Sequence, residues 1–284
     1  MPTVPCTAKA RGKGGFVFFT EDINQETQNR LHVEQGLYNA LAENHLELYY
    51  QPSFDLMTGR ITGAEALLRW NHPERGMIEP DDFISIAEDI GLIVPIGDWV
   101  LETALAEAQS WSSLTEHPVR VSVNVSARQF HDDEILNSMQ RHLETYGGDH
   151  LQIDLEITEN TVMFDPENAS VLLHKLKDHG ANLAMDDFGT GHSSLAYLRR
   201  FPFDLVKIDK SFVNDLGQNP EADAIVKAML DLGSALGMRM VAEGVETEPQ
   251  KAFLERQGCH EMQGFLMCMP LPAQKFREML KQNS

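Results

Sequence analysis

Apolar and polar positions alternate along this chain in two rhythms, one of period two and one of period 3.6. Near the start, over residues 26–44, Leu31, Val33, Leu37, Ala40 and Leu41 gather on one side of a helix with a charged outer face. A strand follows over 46–56, then a turn at Gly59 and a second strand over 61–70. Helical periodicity fits 81–89 and 98–111, and from there strands and helices take turns. Strands are predicted at 119–126, 151–158, 182–187, 205–208, 239–243 and 261–266. Helices are predicted at 134–146, 167–179, 194–200, 221–236, 249–257 and 273–281.

Repeated strand–helix units over about 250 residues point to an α/β fold, a (β/α)8 barrel. An open doubly wound sheet has the same alternation and stays as the alternative. The linker Met57-Thr58-Gly59-Arg60 holds no helix. Parallel neighbours need a crossover of about a dozen residues or more, so the first strand is expected to run antiparallel to the others.

Two strands show which way their faces point. In 119–126, Val119, Val121, Val123 and Val125 alternate with Arg120, Ser122, Asn124 and Ser126. In 151–158, Leu151, Ile153, Leu155 and Ile157 alternate with Gln152, Asp154, Glu156 and Thr158. Helices cover the outside of such a barrel, so the apolar sets face out and the polar sets face in. Barrel interiors are normally packed with branched apolar side chains. Buried carboxylates without partners are costly, so a polar interior needs a reason.

Polar residues near other strand ends supply one: Glu65, Asn124, Glu156, the adjacent pair Asp186 and Asp187, Lys207, Glu243 and Gln263. Barrel enzymes place their chemistry at the strand ends. Oxygen ligands suit hard ions such as Mg²⁺ or Mn²⁺, and no HExxH or other zinc spacing is present. Adjacent carboxylates repel unless something positive lies between them. More acids are present than one ion needs, and two ions about 3.5–4 Å apart would use them. The competing reading is a set of buried ion pairs at strand ends, although one lysine cannot neutralise so many acids. A metal-dependent lyase or isomerase of the enolase type also uses barrel carboxylates and a lysine.

Composition narrows the partners. The chain has 284 residues and a formal net charge of −20. Such a chain repels duplex DNA and anionic lipid surfaces, so positive charge at a phosphate site has to come from metal ions or a few local basic groups. Cys6, Cys259 and Cys268 form no CxxC pair and no even disulfide framework, which fits a reducing, cytoplasmic setting. No apolar run approaches the ~18 residues of a membrane span.

Placed in order, the motifs are those of a known family. The chain carries YYQP (Tyr49 to Pro52), EALLRW (from Glu65), SVNVSARQF (Ser122 to Phe130), LEITE (Leu155 to Glu159) and DDFGTG (Asp186 to Gly191). VKIDKSFV (Val206 to Val213), AEGVET (Ala242 to Thr247) and QGF with PLP (Gln263 to Pro272) complete the series. Over 46–280 the chain resembles the EAL domain family of cyclic di-GMP phosphodiesterases. The resemblance implies a barrel with one reversed strand, two Mg²⁺ or Mn²⁺ ions, and hydrolysis of cyclic di-GMP to linear pGpG. It implies Glu65, Asn124, Glu156 and Asp186 as ligands of one ion. Asp186 bridges, and Asp187 with Glu243 serves the other. Lys207 positions the attacking water, with Glu243 handling its proton. Gln51, Leu67 and Arg69 contact substrate, Glu246 and Gln263 complete the pocket rim, and Glu159 anchors the loop after the paired aspartates. Replacing Glu65 or Lys207 by alanine is expected to abolish turnover with little loss of fold.

Departures from the family pattern are His192, where the loop often has tyrosine, and Gly258-Cys259-His260 with Phe265, where GCD…QGY is usual. They touch loop packing, dimer coupling and affinity rather than the reaction. AKARGKGGFVFFT (Ala8 to Thr20) resembles the last strand region of a GGDEF domain. Residues 1–25 are therefore expected to be the tail of an upstream GGDEF-like domain or a linker, and 26–284 an EAL domain with its lead-in helix. Upstream GGDEF and sensory domains in a parent protein, which could itself be membrane-anchored, and a homodimer are the expected partners. The alternative is a non-catalytic cyclic di-GMP receptor. Such modules usually lack an acidic ligand, whereas every matched position is filled here.

Overall fold

The computed structural model describes residues 6–7, 16–17, 21–131, 134–148, 151–191 and 195–283. The GGDEF-like stretch falls largely outside them, as does His192. Of that stretch Phe16–Val17 is described, paired antiparallel with Cys6–Thr7. The chain divides into two units, Met1–Leu46 with Trp70–Leu92, and Glu47–Arg69 with Ile93–Ser284.

In the first unit, helix α1 (Glu21–Ala42) begins a few residues before the periodicity suggested. It buries Val33, Leu37 and Ala40 as read from the sequence, whereas Leu31, expected on the same side, is 51% exposed and Leu41 is half-buried. Helix α2 (Pro80–Ile90) starts with proline in its first turn, where a missing N–H costs nothing, and ends on Gly91 in the left-handed conformation. Arg30 pairs with Asp89 at 2.7 Å, tying α1 to α2. Phe83 of α2 packs edge-on against the buried Trp70.

The second unit holds a closed barrel of eight strands. They are β1 (Leu46–Asp55), β2 (Ile61–His72), β3 (Arg120–Asn124), β4 (Ile153–Thr158), β5 (Asn182–Phe188), β6 (Leu205–Ile208), β7 (Arg239–Ala242) and β8 (Glu261–Met262). Strands β2 to β8 run parallel in sequence order. Strand β1 pairs with β2 and closes against β8 antiparallel, Asp55 opposite Glu261. The reversed first strand follows from the tight turn, where Asp55 Oδ1 accepts from the Thr58 amide at 2.7 Å. Val121, Leu155 and Ile157 are fully buried, as their predicted outward direction under the helices requires.

Besides the start of α1, two boundaries differ most from the sequence reading. Helix α3 (Ile93–Trp111) begins five residues before position 98. Pro95 reads as a breaker, but it falls in the first turn, where proline is tolerated. Strand β8 ends at Met262 instead of 266. A side chain at Gly264 would stand 2.1 Å from the Val245 carbonyl oxygen, so the chain folds closely against the loop after β7 and leaves the ladder. Short helices also follow the strand ends: α4 (Ala127–His131), α5 (Glu159–Phe164) and α6 (Lys210–Val213).

Candidate active site

The inward faces of the strands carry two polar layers. The deeper one is electrically balanced: two arginines, Arg120 and Arg239, face two carboxylates, Asp154 and Glu261, with Arg239 3.6 Å from Glu261. Arg120 on β3 donates to Asp154 on β4 at 2.8 Å and to Glu261 on β8 at 2.6 Å, with all three side chains buried. Asn182 on β5 also donates to Asp154, at 2.9 Å.

The outer layer, at the carboxyl ends of the strands, is not balanced. Lys207 on β6 is 2 % exposed. Its Nζ lies 2.6 Å from Glu243, 2.7 Å from Glu156, 3.2 Å from Glu65 and 3.6 Å from Asp186. These carboxylates come from β4, β2, β5 and the residue after β7, so closure of the barrel brings them together. Asn124 donates to Glu65 Oε1 at 2.7 Å, and Gln263 to Glu65 Oε2 at 2.8 Å. Gln263 also donates to Gln51 at 3.1 Å, extending the network to β1.

Asp186 and Asp187 reach the same end of the barrel by a local irregularity. The β5–β6 pairing slips between Met185 and Phe188, and Asp187 takes φ 55°. Aspartate tolerates the left-handed region better than most residues, and bulges of this kind re-aim side chains next to sites. The Asp187 amide donates to Asp186 Oδ1 at 2.9 Å.

One ammonium faces four carboxylates, and the protonation equilibria show the imbalance. Burial disfavours a charged lysine, but Asp186, Glu156, Glu243 and Glu65 outweigh it and hold Lys207 well above its ordinary value. Burial, with Glu65 and Asp186, pushes Glu156 well above the usual carboxylate range. Burial, with Asp186 and Glu65 and against the pull of Lys207, moves Glu243 up to about 8. Burial and Asp186 also raise Asp187. Glu65 goes the other way, because Lys207, Gln263 and Asn124 overcome its burial.

A cavity of about 240 Å³ opens onto this cluster. Gln51, Glu65, Glu243 and Gln263 line its depth, and Lys210, Glu246 and Phe265 line its mouth. Leu67 and Arg69 are half-buried further along β2 and do not line it. Arg69 instead lies over the Tyr49 ring, 5.6 Å from its centre. Glu159 is fully buried and its Oε2 accepts from the Gly189 amide at 2.9 Å. It thereby ties α5 to the loop after Asp187.

The donor set is wholly oxygen, which fits a hard divalent ion. The surplus negative charge, visible in the raised carboxyl groups, is what such an ion would offset. Among the described residues, no three Asp, Glu, His or Cys side chains are grouped as metal ligands; the carboxylates are turned onto Lys207. Two residues at the site were not singled out from the sequence. Asp209 faces Asp187 closely enough to raise it further, and Lys210 lines the mouth. Both lie in the VKIDKSFV run, whose polar residues past the strand end were the available signal.

Comparison with known proteins agrees with this geometry. A family profile described as EAL domain matches residues 34–270. The bifunctional diguanylate cyclase/cyclic di-GMP phosphodiesterase MucR of Pseudomonas aeruginosa is 41% identical over 268 residues, 94% of this chain and 39% of that protein. The cyclic di-GMP phosphodiesterase PdeR of Escherichia coli is 39% identical over 279 residues, 98% of this chain and 42% of that protein. The chain thus spans well under half the length of either. The solved PaMucR phosphodiesterase in complex with c-di-GMP superposes with a TM-score of 0.80 at 42% identity, covering 86% of this chain and 99% of that one. Among the described residues no helix is long and apolar enough to cross a membrane.

Proposed function

Because the chain belongs to the EAL domain family, we propose that its barrel hydrolyses one phosphodiester bond of cyclic di-GMP to give linear pGpG. The observation that carries this reading is the convergence of Glu65, Glu156, Asp186 and Glu243 on Lys207, beside an open cavity. Similarity to MucR and PdeR, both named for cyclic di-GMP hydrolysis, supports the substrate.

EAL phosphodiesterases are metal-dependent. Glu65, Asn124, Glu156, Asp186, Asp187 and Glu243 are the residues that would hold two Mg²⁺ or Mn²⁺ ions, their carboxylates turning from the lysine to do so. When bound, the ions offset phosphate charge and stabilise the departing 3′ oxygen.

The chain's own residues divide the remaining work. A water oxygen attacks phosphorus, the bond from phosphorus to the 3′ oxygen breaks, and the 3′ oxygen leaves with that bond's electron pair and takes a proton from solvent to become a hydroxyl. Lys207, with four carboxylates around its Nζ, is assigned the donor role. It donates hydrogen bonds and holds the attacking water in line. Glu243, 2.6 Å from the Lys207 ammonium, is the carboxylate assigned to take the water's proton. Gln51 and Gln263 present amides to the substrate, and Glu246 stands at the mouth. Leu67 and Arg69 are assigned to substrate parts lying outside the cavity. Glu159 acts indirectly, by fixing the loop that follows Asp187. A homodimer, and upstream GGDEF and sensory domains in a longer protein, belong to the same reading; similarity to bifunctional MucR supports the GGDEF part.

The test is incubation with cyclic di-GMP and Mg²⁺ or Mn²⁺, with and without chelator, resolved by chromatography. Chelator-sensitive pGpG is expected. Tight binding with no product would replace the enzyme by a receptor.

A further inference from the structure

We propose that Met267 and Met269 form an oxidation-sensitive rim of the cavity, and that their conversion to sulfoxides by hydrogen peroxide weakens binding of the cyclic dinucleotide. The effect on binding rests on the function proposed above.

The segment after β8 alternates in exposure. Phe265, Met267 and Met269 face solvent, and Leu266, Cys268 and Pro270 between them are half-buried. Phe265 belongs to the cavity wall. Single exposed apolar side chains need no explanation. Here three follow one another at a cavity mouth, and two of them are thioethers, 38% and 61% exposed. Their backbone is fixed: the Leu266 amide donates to the Val245 carbonyl at 3.0 Å, and the Cys268 amide to the Gly264 carbonyl at 3.2 Å.

This segment is joined to the site through one amide. Gln51 Nε2 donates to the Cys268 carbonyl, which lies between the two methionines, at 3.4 Å. Gln51 Oε1 accepts from Gln263, which also donates to Glu65. A bond of 3.4 Å is long and easily displaced.

The thioether lone pair attacks one peroxide oxygen and the O–O bond breaks. The departing hydroxide takes the proton left on the new S–O group, so the products are sulfoxide and water. Sulfur gives up two electrons and peroxide gains them. A flexible apolar side chain thereby becomes polar. Beside Cys268, the sulfoxide oxygen competes with the carbonyl for the Gln51 amide and draws the segment towards water. Cys268 itself is the poorer target. Burial raises its thiol, its Sγ donates to the Met269 carbonyl at 3.1 Å, and the thiolate is the reactive form.

Other methionines supply the controls. Met139, Met185, Met240 and Met262 are buried. Met57 is more exposed than either rim methionine, but it sits in the turn between β1 and β2, at the far end of the barrel from Lys207.

The experiment treats wild type, the double variant Met267→Leu, Met269→Leu and the single variant Met57→Leu with hydrogen peroxide. Peroxide is removed before cyclic di-GMP and Mn²⁺ are added, and peptide mass spectrometry locates the oxygen gained. Met267 and Met269 are expected to be oxidised ahead of the buried methionines. KM is expected to rise about fivefold, the scale of one neutral hydrogen bond, in wild type and in Met57→Leu, with the thermal melt intact. Methionine sulfoxide reductases A and B together restore it, and a thiol alone does not. The double variant keeps its KM through peroxide. An oxidised rim with unchanged KM, or an equal loss in the double variant, overturns the inference while leaving the phosphodiesterase reading standing. Untreated wild type that neither binds nor cleaves cyclic di-GMP overturns both. If it binds without cleaving, Kd by calorimetry takes the place of KM with the same expectation.

Discussion

Lys207 on β6 and Glu156 on β4 meet inside the barrel past the intervening β5, at 2.7 Å, with almost no exposure of either side chain. Such a pair is costly to break from one side, because the surviving charge keeps its burial and loses its partner. Lys207→Ala is therefore expected to lose turnover and about 3–5 kcal/mol of stability in chelated protein. Urea melts with and without Mn²⁺ check this, and the metal should narrow the gap by restoring positive charge. The expectation from sequence, that this substitution spares the fold, does not allow for so complete a burial.

Glu243 gives the metal-free protein a pH dependence. Its carboxyl binds a proton near pH 8 in the folded state, against an ordinary value of 4.5. Between those values the folded state holds more protons than the unfolded chain, so stability falls as pH rises. The contribution is complete below about pH 4.5 and gone once pH has risen through about 8. Melting temperatures of chelated protein should decline over that window, and Glu243→Gln should flatten the decline. A profile that rises across the window in wild type would contradict the assignment.

The deeper layer should behave as structure alone. Arg120 bridges Asp154 and Glu261 without touching the cavity. Arg120→Met is expected to cost about 3–5 kcal/mol while the folded fraction keeps its KM. Denaturant titration paired with active-site-normalised kinetics separates the two effects.

Gln250 ties the rim together. Its Oε1 accepts from the amides of Glu246 and Thr247, and its Nε2 donates to the carbonyls of Val213 and Asn214. Loops after β6 and β7 are joined through this one buried amide. Gln250→Ala should cost about 1–3 kcal/mol by stranding those groups and raise KM by loosening the mouth. Melts and initial rates measure both.

Strand direction and inward acids were legible because β3 and β4 alternate so regularly, and because Met57 to Arg60 is too short for a crossover. What each acid touches was not legible, since Glu65 and Lys207 meet through closure of a sheet and not through sequence spacing. The deeper balance of Arg120, Asp154 and Glu261 was hidden for the same reason: Glu261 comes from the far end of the chain. The early end of β8 depends on a close backbone contact at Gly264 that periodicity does not register. The bulge at Asp186 and Asp187 lies in the twist of a strand end, where a period of two stops being informative.

The antiparallel seam between β1 and β8 also sets an order of events during synthesis. Asp55 waits for Glu261, and Gln51 for Gln263, before either has its partner. A ribosome-bound chain that has not yet released the segment around residue 261 carries an open-sided barrel, with Glu65 lacking the amide that steadies it. Loop-closure entropy makes such distant pairings late. The carboxylate cluster should therefore be completed in one step as the last strand arrives, so that, on the function proposed above, no turnover precedes the finished fold.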